Sequence, residues 1–268
     1  MSGFSAEWLA LREPYDARAR NIAVRDAAVA QLAGHTSVTI ADLACGTGST
    51  VRALSPHLQA RQNWRLFDNN LSLLARAAPP ASESVNATPI PLDLSIDLEA
   101  ALDGPIDLVT TSALLDLVSD DWLARLVTEI AARNLPFYAA LTYDGRIEFA
   151  PTEETDAAVV ASVNRHQHGD KGFGPALGPS AVNTAVARFE AVGYTVKQGS
   201  ADWMFGPVDR PIQNEVLAGW AFAARDINDP PITVIEDWLT RRRAAVAAGH
   251  SSIRVGHVDF FACPTGPR

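Results

Sequence analysis

A short glycine-containing segment in the first third of the chain has the residue types of a nucleotide-binding turn. The segment is DLACGTGS at residues 42–49, and it joins a predicted strand to a predicted helix. Glycine at such a turn lets a ligand approach the backbone where a Cβ atom would collide, and the helix N-terminus offers free N–H groups. The segment therefore indicates a site for a nucleotide-type cofactor.

A carboxylate follows the next predicted strand. Asp68 in WRLFDNN lies at the carboxyl end of that strand, from which it can accept hydrogen bonds from both hydroxyl groups of a ribose. The turn and this acid together predict an adenosine site. A dinucleotide fingerprint would need glycine at the position of Val51, and a P-loop ending in Gly-Lys-Ser/Thr is absent from the sequence. Both NAD and ATP are therefore disfavoured.

The combination of DLACGTG with an acid after the second strand resembles motif I and the ribose acid of the class I, Rossmann-like S-adenosylmethionine-dependent methyltransferases. The resemblance covers about residues 38–144 and continues more weakly to the C-terminus. It implies S-adenosyl-L-methionine as the cofactor and S-adenosyl-L-homocysteine as its product. One departure is Ala44, where the family often has glycine, and a methyl group there would tighten the packing against the cofactor.

The resemblance also implies a role for each matching residue. Asp42 and the glycine turn would face the methionine moiety, Asp68 the ribose, and Asp93 with Leu94 the adenine. Asn69 would flank the ribose and the adenine. Ser112, which closes the fourth predicted strand, would lie near the methionine amino group and the reacting methyl. The implied cofactor-binding residues are Asp42, Ala44, Cys45, Gly46, Thr47, Gly48, Asp68, Asn69, Asp93, Leu94 and Ser112.

Alternation of apolar runs with helical patterns predicts the fold that must position these residues. Each crossover returns the chain to the same edge, so the pattern predicts an α/β fold with a doubly wound, mostly parallel, seven-stranded sheet. The predicted strands cover residues 38–44, 63–67, 85–92, 106–111, 137–142, 195–201 and 252–262. The predicted helices cover residues 15–33, after a break at Pro14, and 49–59, 72–78, 97–102, 120–133, 181–192, 212–227 and 234–247.

Length and composition are those of one globular domain, with 268 residues of which 47% are hydrophobic and 20% charged. We predict a single methyltransferase domain over residues 1–268. Its parts are an N-terminal helical cap (1–35), a cofactor-binding core (36–150), a substrate loop region (151–180) and a C-terminal part (181–268) with a helical insertion at 209–249.

The segment NRHQHGDKGFGPALGPS at residues 164–180 has four glycines, two prolines and no periodicity, so it is predicted to be a loop. Residues 166–178 of this loop are predicted to close as a lid over the acceptor. Its histidines titrate near neutral pH and could act as a base, although a polar surface loop is the alternative. Three metal ligands within five loop residues lack a rigid support, so no metal is predicted. The candidate catalytic residues are His166, His168, Asp170 and Lys171 in this loop, which we favour, and Asp116, which follows Ser112 toward the same cleft.

The net charge of −9 disfavours nucleic acid as a partner, and the basic run Arg241–Arg243 is interpreted as a solvated helix face. No apolar stretch approaches the ~20 residues that span a bilayer, and the N-terminal segment MSGFSAEWLALREPYD carries acids where a signal peptide has basic residues. The two cysteines, Cys45 and Cys263, match no disulfide framework or zinc spacing. We therefore expect a cytoplasmic protein with no membrane contact.

The resulting hypothesis is methyl transfer to oxygen or nitrogen of a small-molecule acceptor. The alternatives are a methyltransferase acting on a protein or RNA, and a non-catalytic S-adenosylmethionine-binding protein. The two late helices could also form a homodimer contact. Four residues near the first helix are candidates to close over the cofactor or to recognise an anionic acceptor, namely Arg12, Tyr15, Arg18 and Arg20.

Overall fold

The computed structural model describes residues 4–266, so the first three and the last two residues of the predicted domain lie outside the described part. Within that part the chain forms one sheet of eight strands. The strands are β1 (Ser37–Leu43), β2 (Arg61–Asp68), β3 (Val85–Pro91), β4 (Leu108–Ser112), β5 (Phe137–Ala150), β6 (Tyr194–Ser200), β7 (Trp203–Phe205) and β8 (Ser252–Pro264).

The helices pack on both faces of the sheet and over one of its edges. Two of them, α1 (Ala6–Ala19) and α2 (Ile22–Gln31), precede the first strand. The others are α3 (Ser49–Leu54), α4 (Leu71–Leu74), α5 (Leu98–Ala101), α6 (Asp120–Ala132), α7 (Asp156–Gln167), α8 (Ala181–Ala191), α9 (Arg210–Ile227) and α10 (Ile232–Ala248). The insertion predicted before the last strand consists of α9 and α10.

The strand order is β3-β2-β1-β4-β5-β8-β6, with β7 paired to β8. Strands β1 to β5 are parallel, whereas β8 runs antiparallel to β5 and to β6. This arrangement confirms the predicted α/β fold with a doubly wound, mostly parallel sheet. The chain winds in opposite directions from β1 and from β4, and the crevice between the carboxyl ends of such strands is where ligands bind in open α/β sheets.

The predicted count of seven strands is wrong, because β7 is an eighth. β7 pairs Trp203 with Val255 and Phe205 with Ile253, near the beginning of β8. Strands β5 and β8 both extend far beyond the core of the sheet, and this extension offers β7 a free edge. Three residues are too few for a period-2 pattern to be seen in the sequence.

The predicted helix break at Pro14 is also wrong. Helix α1 continues through Pro14 to Ala19, and the chain turns at residues 20–21 instead. The Asn21 side chain accepts the N–H of Val24 at 3.1 Å and caps α2, while the Asn21 backbone N–H donates to the Asp259 carboxylate at 2.8 Å. This second bond joins distant parts of the chain, so the local sequence could not reveal where the break occurs.

The predicted loop at 164–180 begins later than expected. Its first four residues complete α7, a helix that the sequence analysis did not predict. Val159 and Val163 on α7 are buried in a cluster with α9, α10 and the extended ends of β5 and β8. The remaining residues, 168–177, are irregular and lead into a short 3-10 turn at Gly178–Ser180.

The prediction that Arg241–Arg243 forms a solvated face is wrong for Arg242, which is fully buried while its two neighbours are exposed. Its guanidinium pairs with the Asp156 carboxylate, and its Nη1 donates to the Pro151 carbonyl at 2.7 Å. Successive helical residues point about 100° apart, so three in a row cannot share one face. The pair fixes α10 to α7.

No helix of residues 4–266 is long and apolar enough to cross a bilayer.

Candidate functional site

A cavity of about 1360 Å³ opens at the carboxyl edge of the parallel strands, where α1, α7 and α9 cover it. The part beside β1, β2 and β3, here called the cofactor side, is lined by Ala44, Asp68, Asn69, Asp93 and Leu94 among others. The part under α7 and α9, here called the inner chamber, is lined chiefly by Asp116, Tyr143, His166, Lys171, Phe173, Trp203, Trp220, Phe222 and His257.

Asp68 ends β2 and connects the cofactor side to the glycine turn. One carboxylate oxygen accepts the N–H of Gly46 at 2.9 Å, and the other accepts the N–H of Asn70 at 2.8 Å. A carboxylate offers about four lone-pair positions, so about two remain for a ligand. The two backbone bonds fix the orientation of the carboxylate at the cavity wall.

Asp93 and Leu94 follow β3, and Asn69 follows Asp68 on the same wall of the cavity. The Asp93 Oδ1 atom accepts the N–H of Ser95 at 2.9 Å and the hydroxyl of Ser95 at 2.6 Å. These bonds leave the second oxygen of Asp93 available to a ligand. The structure thus brings three of the residues implied for ribose and adenine to one wall with Asp68.

The glycine turn lies beneath α1 rather than on the cavity wall. Gly46 and Gly48 have φ values of +56° and +83°, which explains the need for glycine at both positions. Leu9 of α1 covers Gly46, with its Cδ1 3.1 Å from where a Cβ would stand. The Thr47 carbonyl accepts Arg52 Nη1 at 2.6 Å, and burial raises the pKa of the Cys45 thiol. The turn formed by residues 45–48 therefore lies behind the cavity wall and does not line the cavity.

Three residues with side chains adopt left-handed backbone conformations along the cavity. Ala44, Ala113 and Leu141 have φ values of +54°, +52° and +56°, and they follow β1, follow β4 and interrupt β5. Each such position costs roughly 1–2 kcal/mol. The strain at Ala44 accounts for the glycine found there in the resembling family, a cost additional to the tighter packing expected from the sequence. The buried Asp259 carboxylate holds Leu141 by accepting its N–H at 2.7 Å.

Asp42, which is buried, and Ser112, which is half-buried, belong to a polar cluster behind the cavity wall. The Thr110 hydroxyl donates to Asp42 Oδ1 at 2.8 Å, and burial raises the pKa of Asp42 to about 7 despite this bond and the nearby Arg20 charge. Arg20 Nη2 lies 3.4 Å from the Ser112 hydroxyl. Asp42 Oδ2 and two nitrogens of Arg20 have no hydrogen-bond partner within the described residues. Asp42 and Ser112 do not line the cavity itself.

His166 and Lys171 meet at the wall of the inner chamber. The Lys171 ammonium donates to the His166 carbonyl at 3.0 Å and lies 3.3 Å from His166 Nδ1. Burial lowers the pKa of both side chains, and the Lys171 charge lowers that of His166 further. His166 is therefore neutral near pH 7, because its ordinary pKa of about 6.5 already lies below that value.

His168 and Asp170 are exposed and do not line the cavity. Asp170 Oδ1 accepts the N–H groups of Gly172 and Gly174 at 2.7 and 3.1 Å, which organises the loop. His168 Nδ1 lies 3.3 Å from the Ala176 carbonyl. The structure thus separates these two loop residues from His166 and Lys171.

Asp116 lies at the floor of the inner chamber, in a short 3-10 turn after β4. It is 6% exposed, and its Oδ1 atom has no hydrogen-bond partner within the described residues. Burial raises the pKa of Asp116 to about 6, although the backbone N–H groups of Asp116 and Tyr143 and the charges of Arg12 and Lys171 oppose the shift. A carboxyl group with such a pKa can exchange a proton near neutral pH.

His257 on β8 lies in the chamber wall and was not singled out from the sequence. Its Nδ1 atom is 3.1 Å from the Val255 carbonyl, and its ring packs 4.7 Å from the Trp203 ring between centroids. Burial lowers the pKa of His257 to about 3, so the ring is neutral. A carbonyl can only accept, so Nδ1 carries the proton and Nε2 keeps a lone pair. The partners of His257 come from β7 and α1, which are distant in sequence, so no local pattern marks this histidine as part of the chamber wall.

Of the four residues proposed near the first helix, Arg12 lines the cavity. It pairs with Asp16 at 2.9 Å and lies 4.8 Å above the Trp203 ring, while Trp203 Nε1 also donates to Asp16 at 2.9 Å. The others take different contacts: Tyr15 donates to Asp209, Arg18 lies above the Tyr15 ring, and Arg20 is buried behind β4. In residues 4–266, no three His, Cys, Asp or Glu side chains are grouped so as to hold a metal ion.

Comparison with solved structures supports the fold. No protein-family model matches the chain, and the search of curated proteins gave no match. A protein from Bacillus halodurans named as a candidate methyltransferase is 14% identical, with a TM-score of 0.50 over 91% of this chain and 100% of that one. A methyltransferase from Geobacter sulfurreducens, solved with S-adenosyl-L-homocysteine, is 15% identical over 98% of this chain and 99% of that one, with a TM-score of 0.47. The first of these matches, at a TM-score of 0.50, shows that the chain has the Rossmann-like methyltransferase fold.

Proposed function

We propose that this protein is an S-adenosylmethionine-dependent methyltransferase that methylates oxygen or nitrogen of a small-molecule acceptor. One observation carries the proposal: a single cavity joins the acids after β2 and β3 to a chamber that holds a buried carboxyl group, Asp116, whose Oδ1 atom has no hydrogen-bond partner within the described residues. A nucleoside and a second reactant could therefore meet in one space.

The residues of the cofactor side fit S-adenosylmethionine. Asp68 keeps about two lone pairs for the ribose hydroxyls, and Asp93 keeps one oxygen for the adenine amino group. The glycine turn holds the Asp68 carboxylate through the Gly46 N–H. When bound, the cofactor supplies a methyl group on a positively charged sulfur, which a correctly placed nucleophile can take.

The protein's own contribution is chiefly orientation and exclusion of water. Orientation of two reactants can supply roughly 7–11 kcal/mol of barrier reduction. Helix α1 covers the cavity with Trp8 and Arg12, while α9 covers it with Trp220 and Phe222. Among the candidate catalytic residues, those on the chamber wall are Asp116, His166 and Lys171, and the loop after α7 remains our candidate lid.

A small-molecule acceptor suits this chamber better than a macromolecule. The chamber is lined from α1, α7, α9, the loop after α7 and the sheet, which leaves little access for a folded protein. The net charge of −9 opposes RNA. A buried carboxyl oxygen without a partner costs about 1–3 kcal/mol, and a catalytic role of Asp116 would account for this cost at the chamber wall. A cytoplasmic location and a homodimer remain predictions, the second testable by light scattering.

Calorimetry and a turnover screen test the proposal in two steps. Titration with S-adenosyl-L-homocysteine should show one site, and NADH should bind more weakly because the dinucleotide fingerprint is missing. Stronger binding of NADH would overturn the cofactor assignment. A screen of small metabolites for formation of S-adenosyl-L-homocysteine should then find an acceptor, and turnover only with proteins or RNA would overturn the acceptor class.

A further inference from the structure

The walls of the inner chamber are rich in rings. Trp203 lies edge-on to Trp8 at 6.4 Å between centroids, and Phe173 packs edge-on to Trp122 at 5.3 Å. Trp220 and Phe222 of α9 line the same space, and Phe222 is 64% exposed at its margin. Aromatic side chains bury large apolar areas and favour offset or edge-on contacts with other rings. The body of the ligand that fits these walls is therefore flat and apolar.

Asp116 and His257 are among the groups of the chamber wall that can accept a hydrogen bond. The Oδ1 atom of Asp116 is buried without a partner, and His257 uses Nδ1 on the Val255 carbonyl, which leaves its Nε2 lone pair. A buried acceptor without a donor costs about 1–3 kcal/mol. A ligand that brings a hydroxyl proton to Asp116 would recover this free energy.

Two cationic side chains act on Asp116, and one of them, Arg12, is itself paired with Asp16 at 2.9 Å. Arg12 from α1 and Lys171 from the loop after α7 both act on its carboxyl group, and the Tyr143 backbone faces it from β5. These cations would stabilise the negative charge that develops on a hydroxyl oxygen as its proton leaves, and they would disfavour an amine, which becomes positive when it attacks the methyl group. A carboxylate acceptor has no proton to give to Asp116. The charges therefore select among the acceptor groups that the proposed function leaves open.

We infer that the acceptor is an aromatic molecule with an ionisable hydroxyl group, and that Asp116 is the base that takes its proton. The inference rests on the proposed methyltransferase function. The acceptor oxygen forms a bond to the methyl carbon while the methyl–sulfur bond breaks and its electron pair stays on sulfur. The hydroxyl proton passes to the Asp116 carboxylate, which releases it to solvent after the aryl methyl ether and S-adenosyl-L-homocysteine leave.

A binding experiment tests the inference without turnover. The complex with S-adenosyl-L-homocysteine is titrated with 4-nitrophenol, whose phenolate has its own absorption band, and with 4-nitroanisole, which lacks the proton. Wild type should bind 4-nitrophenol at least about tenfold more tightly and show the phenolate band below the pH at which the free phenol ionises. Asp116→Asn should lose the band, while Asp237→Asn, which changes an exposed acid on α10, should keep it. Equal affinity for both compounds, or no binding of either, would overturn the inference.

A turnover experiment tests the acceptor group. Matched naphthols, naphthylamines and naphthoates are compared for formation of S-adenosyl-L-homocysteine. Only the naphthols should be methylated. Asp116→Asn should lower their turnover by about 10²-fold or more, while its affinity for S-adenosyl-L-homocysteine stays within about twofold of wild type. The inference is wrong if amines or carboxylates are methylated in preference to naphthols. It is also wrong if none of the three classes is methylated although S-adenosyl-L-homocysteine binds. Failure of the wild-type protein to bind S-adenosyl-L-homocysteine would instead overturn the proposed function.

Discussion

Replacing Asp68 with asparagine is the sharpest test of the cofactor side, because the change keeps the shape of the side chain and removes its charge. In the structure the two Asp68 oxygens hold the N–H groups of Gly46 and Asn70 at 2.9 and 2.8 Å. The amide keeps one acceptor oxygen but turns an NH₂ group toward the other backbone donor. The variant therefore weakens both the turn and any ribose contact.

The expected loss of affinity follows from the hydrogen bonds concerned. A bond to a charged partner contributes about 1.5–3 kcal/mol, and a neutral one about 0.5–1.5 kcal/mol. Two ribose hydroxyl bonds that change from charged to neutral should therefore cost about 2 kcal/mol together. Since 1.4 kcal/mol is tenfold in affinity, Asp68→Asn should bind S-adenosyl-L-homocysteine about 30-fold more weakly.

Calorimetry on folded protein measures this loss, with Asp107→Asn as the matched control. The Asp107 carboxylate also accepts a backbone N–H, that of Thr39 at 2.8 Å. Asp107 lies at the amino-terminal end of β4, whereas the cavity opens at the carboxyl ends of the parallel strands. Thermal unfolding should show that both variants lose some stability, whereas only Asp68→Asn should lose affinity. Wild-type affinity in folded Asp68→Asn, or an equal loss in Asp107→Asn, would refute the ribose assignment.

Three further predictions follow from buried or chamber-facing residues. Arg242→Ala should lower the free energy of unfolding by about 3–5 kcal/mol, since Asp156 loses its buried partner, while exposed Arg243→Ala should stay within about 0.5 kcal/mol; equal urea midpoints would contradict this. His166 lines the chamber and would orient the acceptor, so His166→Ala should lower turnover of an identified acceptor by on the order of 10²-fold, whereas His168→Ala should not. The affinity for S-adenosyl-L-homocysteine should stay within about twofold in both variants, and equal single-turnover rates of the two would make His166 a bystander. Burial raises the pKa of Asp116 from 3.8 to about 6, so the folded state holds more protons between these values and stability falls as pH rises through them. Asp116→Asn should therefore gain stability relative to wild type at pH 8 compared with pH 4, and a pH-independent difference in thermal unfolding would argue against the buried acid.

The fold and the cofactor side were largely predictable because their signals are local. Glycine at positions 46 and 48 is required by backbone angles, and a run of apolar residues before Asp68 marks a buried strand with an acid at its end. Strands that alternate with helices must be parallel, so their carboxyl ends meet at one edge. The misses, at Pro14 and at β7, occur where a distant strand supplies the hydrogen bonds that decide the local structure.

The inner chamber depends on contacts between residues far apart in the chain. Arg12 from the first helix, Trp203 from β7 and His257 from the last strand form one wall, and no spacing in the sequence relates them. Burial decides the chemistry of Asp116, because removal from water raises its pKa, and only the packed fold determines which acids are removed from water. The sequence by itself thus determined the sheet and the acids at its edge. The tertiary structure decided which of the remaining polar groups share one chamber, since burial and long-range charge are properties of the whole fold.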